Sequence, residues 1–380
     1  MKNILIVYSG KTSNAPRPRR FIKCLKDEYN ITVFSKEDKN IEYKESNKEV
    51  NFIEHSFGSE NKVYKIYKVL LNQLKLYNKS IHNKLYLEYL NYFKTQKYDC
   101  IICFNLQLLP FVYEIKNRSQ IFFDAREYFP KHFEDRLLWK IAYQGLNRHL
   151  VYKYMSRCDF ISTVSEGIKE QYIQDLDCKN IEVIESFPKH WNLEATKSTD
   201  IIKIIHHGNA TVSRRIEDMI YTMDFLDSSY HLDLMLMPTD KKYYNKLEKL
   251  CNNRRNVNLI SPVKFDEIIP FINKYDIGLF NAKPTTFNLK HTLPNKFFEF
   301  VQARLSVVIG PSIEMEKYIQ KYDIGIISKG YNPSDLAEAI NKINISNLDK
   351  YKNNSNKAAS ILNEKVTCIR LKSLIRKILI

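Results

Sequence analysis

Glycine is scarce in this 380-residue chain, with 9 in all. A protein that cradled phosphates mainly in glycine-rich loops would carry more, because such loops need residues free to adopt positive φ. Gly10-Lys11-Thr12 follows an apolar strand candidate, as a phosphate loop would, but Leu5 stands where that motif requires its first glycine. Long apolar runs are missing as well. No stretch of about 18 apolar residues exists, so no membrane-spanning helix is predicted. Met1–Tyr8 has a single lysine and too short an apolar stretch for a signal peptide. The seven cysteines, odd in number and without regular spacing, argue for a reducing, cytoplasmic compartment. Cys100 and Cys103 have redox-motif spacing, yet they fall inside an apolar strand candidate, where residues three apart face opposite ways. Two buried structural thiols are expected there. The histidines show neither zinc-protease spacing nor cysteine partners, so neither a metal nor another cofactor is expected.

What is present points to a large folded protein. With 44% hydrophobic residues the chain can bury the cores of two domains. Its net charge of +16, from 59 Lys and Arg against 43 Asp and Glu, favours anionic partners. Nucleotide sugars, phospholipid headgroups, lipid-linked phosphates and nucleic acid all qualify. Two stretches share an outline of strand, turn and basic loop leading into a helix: Ile4–Tyr8 with Ser9-Gly10, and Ile201–Ile205 with His206-His207-Gly208. Further strand candidates are 31–34, 100–104, 121–123, 160–164 and 181–184 in the first half, then 232–237, 257–259, 277–280 and 306–309. Alternating strand and helix predicts two doubly wound parallel sheets. The polar stretch Ser186–Asp200, which contains Pro188, marks the boundary. Residues 1–187 form the first expected domain and 200–362 the second. Residues 363–380 form an amphipathic helix.

The segment Leu293-Pro294-Asn295-Lys296-Phe297-Phe298-Glu299 joins a helix start to a charged pair. Pro294 suits the first helical position. Lys296 and Glu299, three apart, share a face. The exposed N–H groups of a helix start welcome a phosphate, and a glutamate one turn deeper can accept both hydroxyls of a ribose. An ordinary surface ion pair is the plain alternative. The segment resembles the nucleotide-sugar-binding signature of GT-B glycosyltransferases, particularly glycosyltransferase family 4. That resemblance implies the GT-B fold: two Rossmann-like domains facing a cleft, with the terminal helix crossing back onto the first. Glu299 matches the second of two family glutamates, the one that holds the ribose. The first falls on His291, a departure from the pattern.

Other segments carry the resemblance further. In Gly208-Asn209-Ala210-Thr211-Val212-Ser213-Arg214-Arg215, Ser213 can cap the following helix, and Glu217 and Asp218 suit its first turn. Two arginines at a helix start are unusual, and diphosphate binding and surface exposure both account for them. In the family, glycine, arginine and a later lysine approach the donor diphosphate in this loop. Arg214 aligns with the lysine, Asn209 replaces the arginine, and Arg215 is a substitute cation. Lys264 falls near the expected nucleotide base.

In the first half, Asp124-Ala125-Arg126-Glu127 lies past a strand end and resembles the family's acceptor-side segment. Asp124 or Glu127 can there orient the acceptor or take its proton. Gly10, Arg17 and Arg19 sit after the first strand as acceptor-side candidates, or as part of a solvated basic loop. Asp175-Leu176-Asp177 mimics a metal-binding Asp-x-Asp but is read as solvated loop. The Lys62–Lys97 stretch interleaves Tyr, Leu, Ile and Lys. Contact with a membrane surface and ordinary amphipathic helices both explain it.

The resemblance implies a metal-independent enzyme, retaining by default, that moves a sugar from a nucleotide-sugar donor to an acceptor hydroxyl. A bacterial surface polysaccharide or lipid-linked saccharide would be its acceptor. A nucleotide-sugar 2-epimerase of the same fold is the alternative. A basic nucleic-acid-binding protein is the alternative from another class, although no nucleic-acid motif appears and no nucleic-acid partner is expected.

Overall fold

The computed structural model describes residues 1–56, 61–81, 84–176, 178 and 180–379. The chain divides into two compact units. One comprises Met1–Glu185, Thr286–Asn288 and Thr367–Ile380, the other Ser186–Thr285 and Leu289–Val366.

The first unit is built on β1 (Asn3–Val7), β2 (Asn30–Lys36), β3 (Asn51–His55), β4 (Cys100–Cys103), β5 (Gln120–Asp124), β6 (Phe160–Thr163) and β7 (Ile181–Val183). They form a parallel sheet in the order β3-β2-β1-β4-β5-β6-β7. Its central strands read as unbroken apolar runs because both faces are covered. Leu5, Val7, Ile101, Cys103, Ile121 and Phe123 enter one core. Their neighbours Ile4, Ile6, Cys100, Ile102 and Phe122 enter the other. Cys100 and Cys103 thus point to opposite faces, and burial pushes both thiols up to about 12.

The terminal helix Glu364–Ile378 belongs to this unit from Thr367 onward. Leu371, Leu374 and Ile375 join the core of Ile4 and Phe21. Lys372 and Arg376 both bind Glu28, and Arg370 binds Glu185 at 2.6 Å. Cys368 is disulfide-bonded to Cys24 of the helix Pro16–Leu25. That pairing departs from the wholly reduced set of thiols that cysteine number and spacing suggested. Proximity in the fold, across a sequence separation of 344, is invisible to spacing.

The second unit repeats the plan. Its strands β8 (Ile202–Asn209), β9 (Tyr230–Met237), β10 (Val257–Ile260), β11 (Ile277–Phe280), β12 (Ser306–Ile309) and β13 (Gly325–Ile327) are parallel, in the order β10-β9-β8-β11-β12-β13. Ser186–Asp200 packs with this unit. The buried Arg304 donates to the carbonyls of Trp191 and Leu193, at 2.6 and 3.2 Å. Lys352 and Asp276 form a buried ion pair at 2.7 Å, and the other Asp276 oxygen accepts from the Lys203 amide. Asp276 therefore anchors β8 to β11.

Local expectations fail in instructive places. Strands β3 and β13 escaped the sequence reading because one is half polar and the other has only 3 residues. Pro294 is not in the first helical turn. It is the N-cap of the helix Asn295–Gln302, with φ −79° and ψ 151°. Ser213 does not cap its helix either. It lies in a short 3-10 turn, and Arg215 in the left-handed region precedes the helix Ile216–Thr222. Asp175 is helical rather than in a loop, accepting from Gln171 and Tyr128. Asp177 lies outside the described residues.

Candidate functional site

In an open parallel sheet, ligands bind beyond the carboxyl ends of strands where the order reverses. In the second unit that point lies between β8 and β11. Three segments supply its side chains: the end of β8, the turn after it, and the start of the helix Asn295–Gln302. The helix approaches closely because Gly278 in β11 has no side chain. A Cβ there would stand 2.3 Å from the Phe300 ring. Phe297, Phe298, Phe300 and Val301 bury one face of the helix, which fixes Lys296 and Glu299 on the other.

Lys296 does not make the plain ion pair with Glu299 as its partner. Its Nζ turns inward to His206 Nε2, at 3.3 Å. His206 Nδ1 lies 2.8 Å from the carbonyl oxygen of Leu279, so that nitrogen carries the proton and Nε2 presents its lone pair to the lysine. Desolvation, then the charges of Lys296 and Arg214, hold His206 well below its ordinary value and therefore neutral. Burial, followed by the Arg214 charge, pushes the Lys296 ammonium down to about 7, with Glu299 opposing the shift. Lys296 and Arg214 lie over the same Phe280 ring, 5.3 and 5.9 Å from its centroid. Two cations that repel each other in the free protein converge beside a strand end. A bound anion removes that repulsion.

Glu299, 7% exposed, places Oε2 3.3 Å from His207 Nε2. Desolvation and the Lys296 charge push His207 down to about 3. The contact is therefore one of carboxylate with neutral imidazole, not an ion pair. Gly208 completes the cluster, with φ +130° and the amine of Lys296 2.7 Å from where a Cβ would be. Gly208→Ala is expected to cost about 1–3 kcal/mol in backbone strain. It should also displace Lys296, so melting temperature and anion affinity, measured together, should both fall. An unchanged affinity would contradict the close approach.

The remaining second-unit candidates fall outside this group. Arg215 grips Asp218 through two hydrogen bonds, at 2.7 and 3.0 Å, at the start of its helix. His291 Nδ1 lies 3.3 Å from the buried Glu314, which also binds Lys317. Asn209 is exposed at the end of β8, and Asn295 opens the helix. Lys264 is exposed beside a 3-10 turn. His206, Phe280 and Glu314 were missed as site residues. Each looks like ordinary core or helix in sequence, and the adjacent histidines at the end of an apolar strand were the available signal.

In the first unit the placement revises two assignments. Arg17 Nε and Nη2 each lie 2.6 Å from an oxygen of Asp124, and Arg17 Nη1 donates to the Ile184 carbonyl. Ser162 Oγ also donates to Asp124, at 2.5 Å. Arg17 is 5% exposed and Asp124 0%. The pair ties β5 to the helix Pro16–Leu25, so neither an acceptor-binding Arg17 nor a base at Asp124 fits this arrangement. Arg19 donates to the Ser13 carbonyl and lies over the Tyr43 ring. Gly10 sits against the Tyr8 ring, its carbonyl accepting from Lys36. Glu127 stays partly exposed and contacts His132.

No protein-family profile matches the chain, and no curated protein sequence matches it significantly. Solved structures do. HepE of Anabaena, in complex with UDP-glucose, is 11% identical, with TM-score 0.74 over 99% of this chain and 100% of that one. A glycosyltransferase from Rickettsia africae is 14% identical, with TM-score 0.71 over 100% and 98% of the two chains. Sucrose-phosphate synthase from Thermosynechococcus elongatus is 11% identical, with TM-score 0.74 over 99% of each. With two parallel-sheet α/β units and similarity along the whole length, this chain has the GT-B fold.

Proposed function

We propose that the chain is a hexosyl-type glycosyltransferase resembling family 4, which transfers a sugar from a nucleotide-sugar donor to an acceptor hydroxyl. The observation that carries this reading is the convergence of Lys296 and Arg214 beside Gly208, with the Glu299 carboxylate one helical turn away. In this proposal Glu299 accepts from the ribose hydroxyls. Lys296 and Arg214 offset charge on the departing diphosphate, and exposed N–H groups at the start of the helix Asn295–Gln302 add to them. No metal is assigned to that role. Asn209, Lys264 and Asn295 flank the donor. His291, oriented by Glu314, stands near the sugar where the family has a glutamate, and retention is the proposed stereochemistry. Glu127 is the first-unit carboxylate left to take the acceptor proton.

The net positive charge suits an anionic acceptor, and a lipid-linked saccharide or growing surface polysaccharide on the cytoplasmic face of a membrane is the proposed class. HepE, the similar protein solved with UDP-glucose, makes uridine-linked glucose the first donor to try. The test supplies a panel of nucleotide sugars and a lipid-linked saccharide extract in the presence of a chelator, and follows product by mass spectrometry. A glycosylated acceptor, with kcat/KM about 100-fold lower in Glu299→Ala, is the expected result. Donor epimerised or hydrolysed without any acceptor product would overturn the reading in favour of an epimerase.

A further inference from the structure

The helix Lys62–Gln73 carries apolar side chains on the face it turns to solvent. Val63, Ile66, Tyr67, Leu70 and Leu74 fall at the spacing of one helical face. Each is at least half exposed, from 50% for Tyr67 to 75% for Val63. The opposite side packs on the unit through Leu71 and Asn72, and Asn72 Nδ2 donates to the Ala142 carbonyl at 2.9 Å. Gln73 donates to the neighbouring Ile141 carbonyl. These bonds bring in a second exposed group, Leu137, Leu138 and Ile141, of which Leu138 is 83% exposed. Single exposed leucines need no explanation, but a contiguous stripe of this kind marks an interaction surface.

The charge around the stripe selects the occupant. From Asn61 to Leu87 the chain has 6 lysines and no Asp or Glu. From Asp135 to Cys158 it has Arg136, Lys140, Arg148, Lys153 and Arg157 against the single acid Asp135. A second copy of this face would set lysine against lysine, which disfavours self-association. An anionic bilayer accepts both components, apolar side chains below its headgroups and lysines among them. No helix among the described residues is long and apolar enough to cross a membrane, and this one, 12 residues long, spans about 18 Å. It would lie flat.

We propose that the exposed face of Lys62–Gln73, extended by Leu137, Leu138 and Ile141, seats the first unit on the surface of an anionic lipid bilayer. Both segments belong to the first unit, and the cation cluster to the second. Membrane seating and sugar transfer therefore stand or fall separately.

Trp139 adjoins the second group, and Trp191 is the only other tryptophan. The full-length Trp191→Phe variant thus reports from Trp139 alone. It is mixed with vesicles of phosphatidylglycerol and phosphatidylcholine, or of phosphatidylcholine alone, and followed by co-sedimentation and fluorescence. Binding to the mixed vesicles with a blue shift, weakened by salt, is expected. Ile66→Ser, Leu70→Ser and Leu74→Ser combined should lower the partition coefficient at least about tenfold, as loss of apolar insertion requires. Lys62→Gln, Lys65→Gln and Lys68→Gln combined should also lower it about tenfold. Circular dichroism and melting temperature control for folding of each variant. Failure of the parent to bind mixed vesicles at low salt overturns the proposal. So does a serine variant that binds like the parent. A parent that dimerises through this face, and is made monomeric by the serine changes, overturns it in favour of a second copy.

Discussion

Lys296→Met is expected to weaken nucleoside diphosphate binding by about 100-fold while leaving the ligand-free protein at least as stable as before. The first effect corresponds to about 2.7 kcal/mol, within the range of charge-assisted hydrogen bonds to a half-buried cation. The second follows from the direction of the lysine's shift. In the folded protein its ammonium loses its proton near pH 7, against about 10.4 in an unfolded chain. Below about pH 7 both states hold the proton, and the cost of burying the charge is present in full. Between about 7 and 10.4 the unfolded chain binds the additional proton, so stability of the ligand-free protein rises with pH across that window. Methionine keeps the stem and removes the charge. A diphosphate reverses the balance, because its negative charge favours the protonated amine. Binding above pH 7 should therefore take up a proton, and affinity should fall as pH rises. Titration calorimetry in buffers of different ionisation enthalpy measures the uptake. A Lys296→Met protein that binds as tightly as the parent would remove the lysine from the site.

Arg17→Met should lower stability by about 3–5 kcal/mol, because it leaves the wholly buried Asp124 carboxyl without its main partner. For a unit of this size the loss corresponds to a melting temperature lower by on the order of 10 °C. Combining Arg17→Met with Asp124→Leu removes both charges and should recover most of the loss, since a buried ion pair is often no better than a well-packed apolar pair. A role in holding acceptor would give a different pattern: an unchanged melting temperature and a raised KM. Thermal unfolding of the two single variants and the double variant separates these accounts.

Legibility from sequence followed the strength of local pattern. Ile4–Val7, Cys100–Cys103 and Ser306–Ile309 are continuous apolar runs, buried on both faces, and their strands were readable within a residue or two. Strand β3 holds only Phe52 and Ile53 as apolar residues, between Asn51 and Glu54, and offers no such run. Lys296 and Glu299 could be placed on one helical face from their spacing, but their directions could not. Lysine goes to His206 and glutamate to His207 because β8 lies beside the helix, a fact of tertiary packing. The same limit hid the Arg17–Asp124 pair. Arg17 reads as part of a basic loop after β1, and only the order of β1, β4 and β5 in the sheet brings it to Asp124. Arginine at a helix start suggested anion binding at both 214 and 215, yet the left-handed backbone of Arg215 turns its side chain back onto Asp218.

The central claim is that the second unit binds a nucleoside diphosphate at the end of β8. Titration calorimetry of the full chain with UDP, GDP, ADP and CMP in a chelating buffer tests it directly, with Glu299→Ala and Lys296→Met alongside. One diphosphate should bind and release its heat in the parent, more weakly in both variants, with CMP, a monophosphate, binding least. Equal binding by parent and variants, or no binding by any nucleotide while an oligonucleotide binds, would contradict the account.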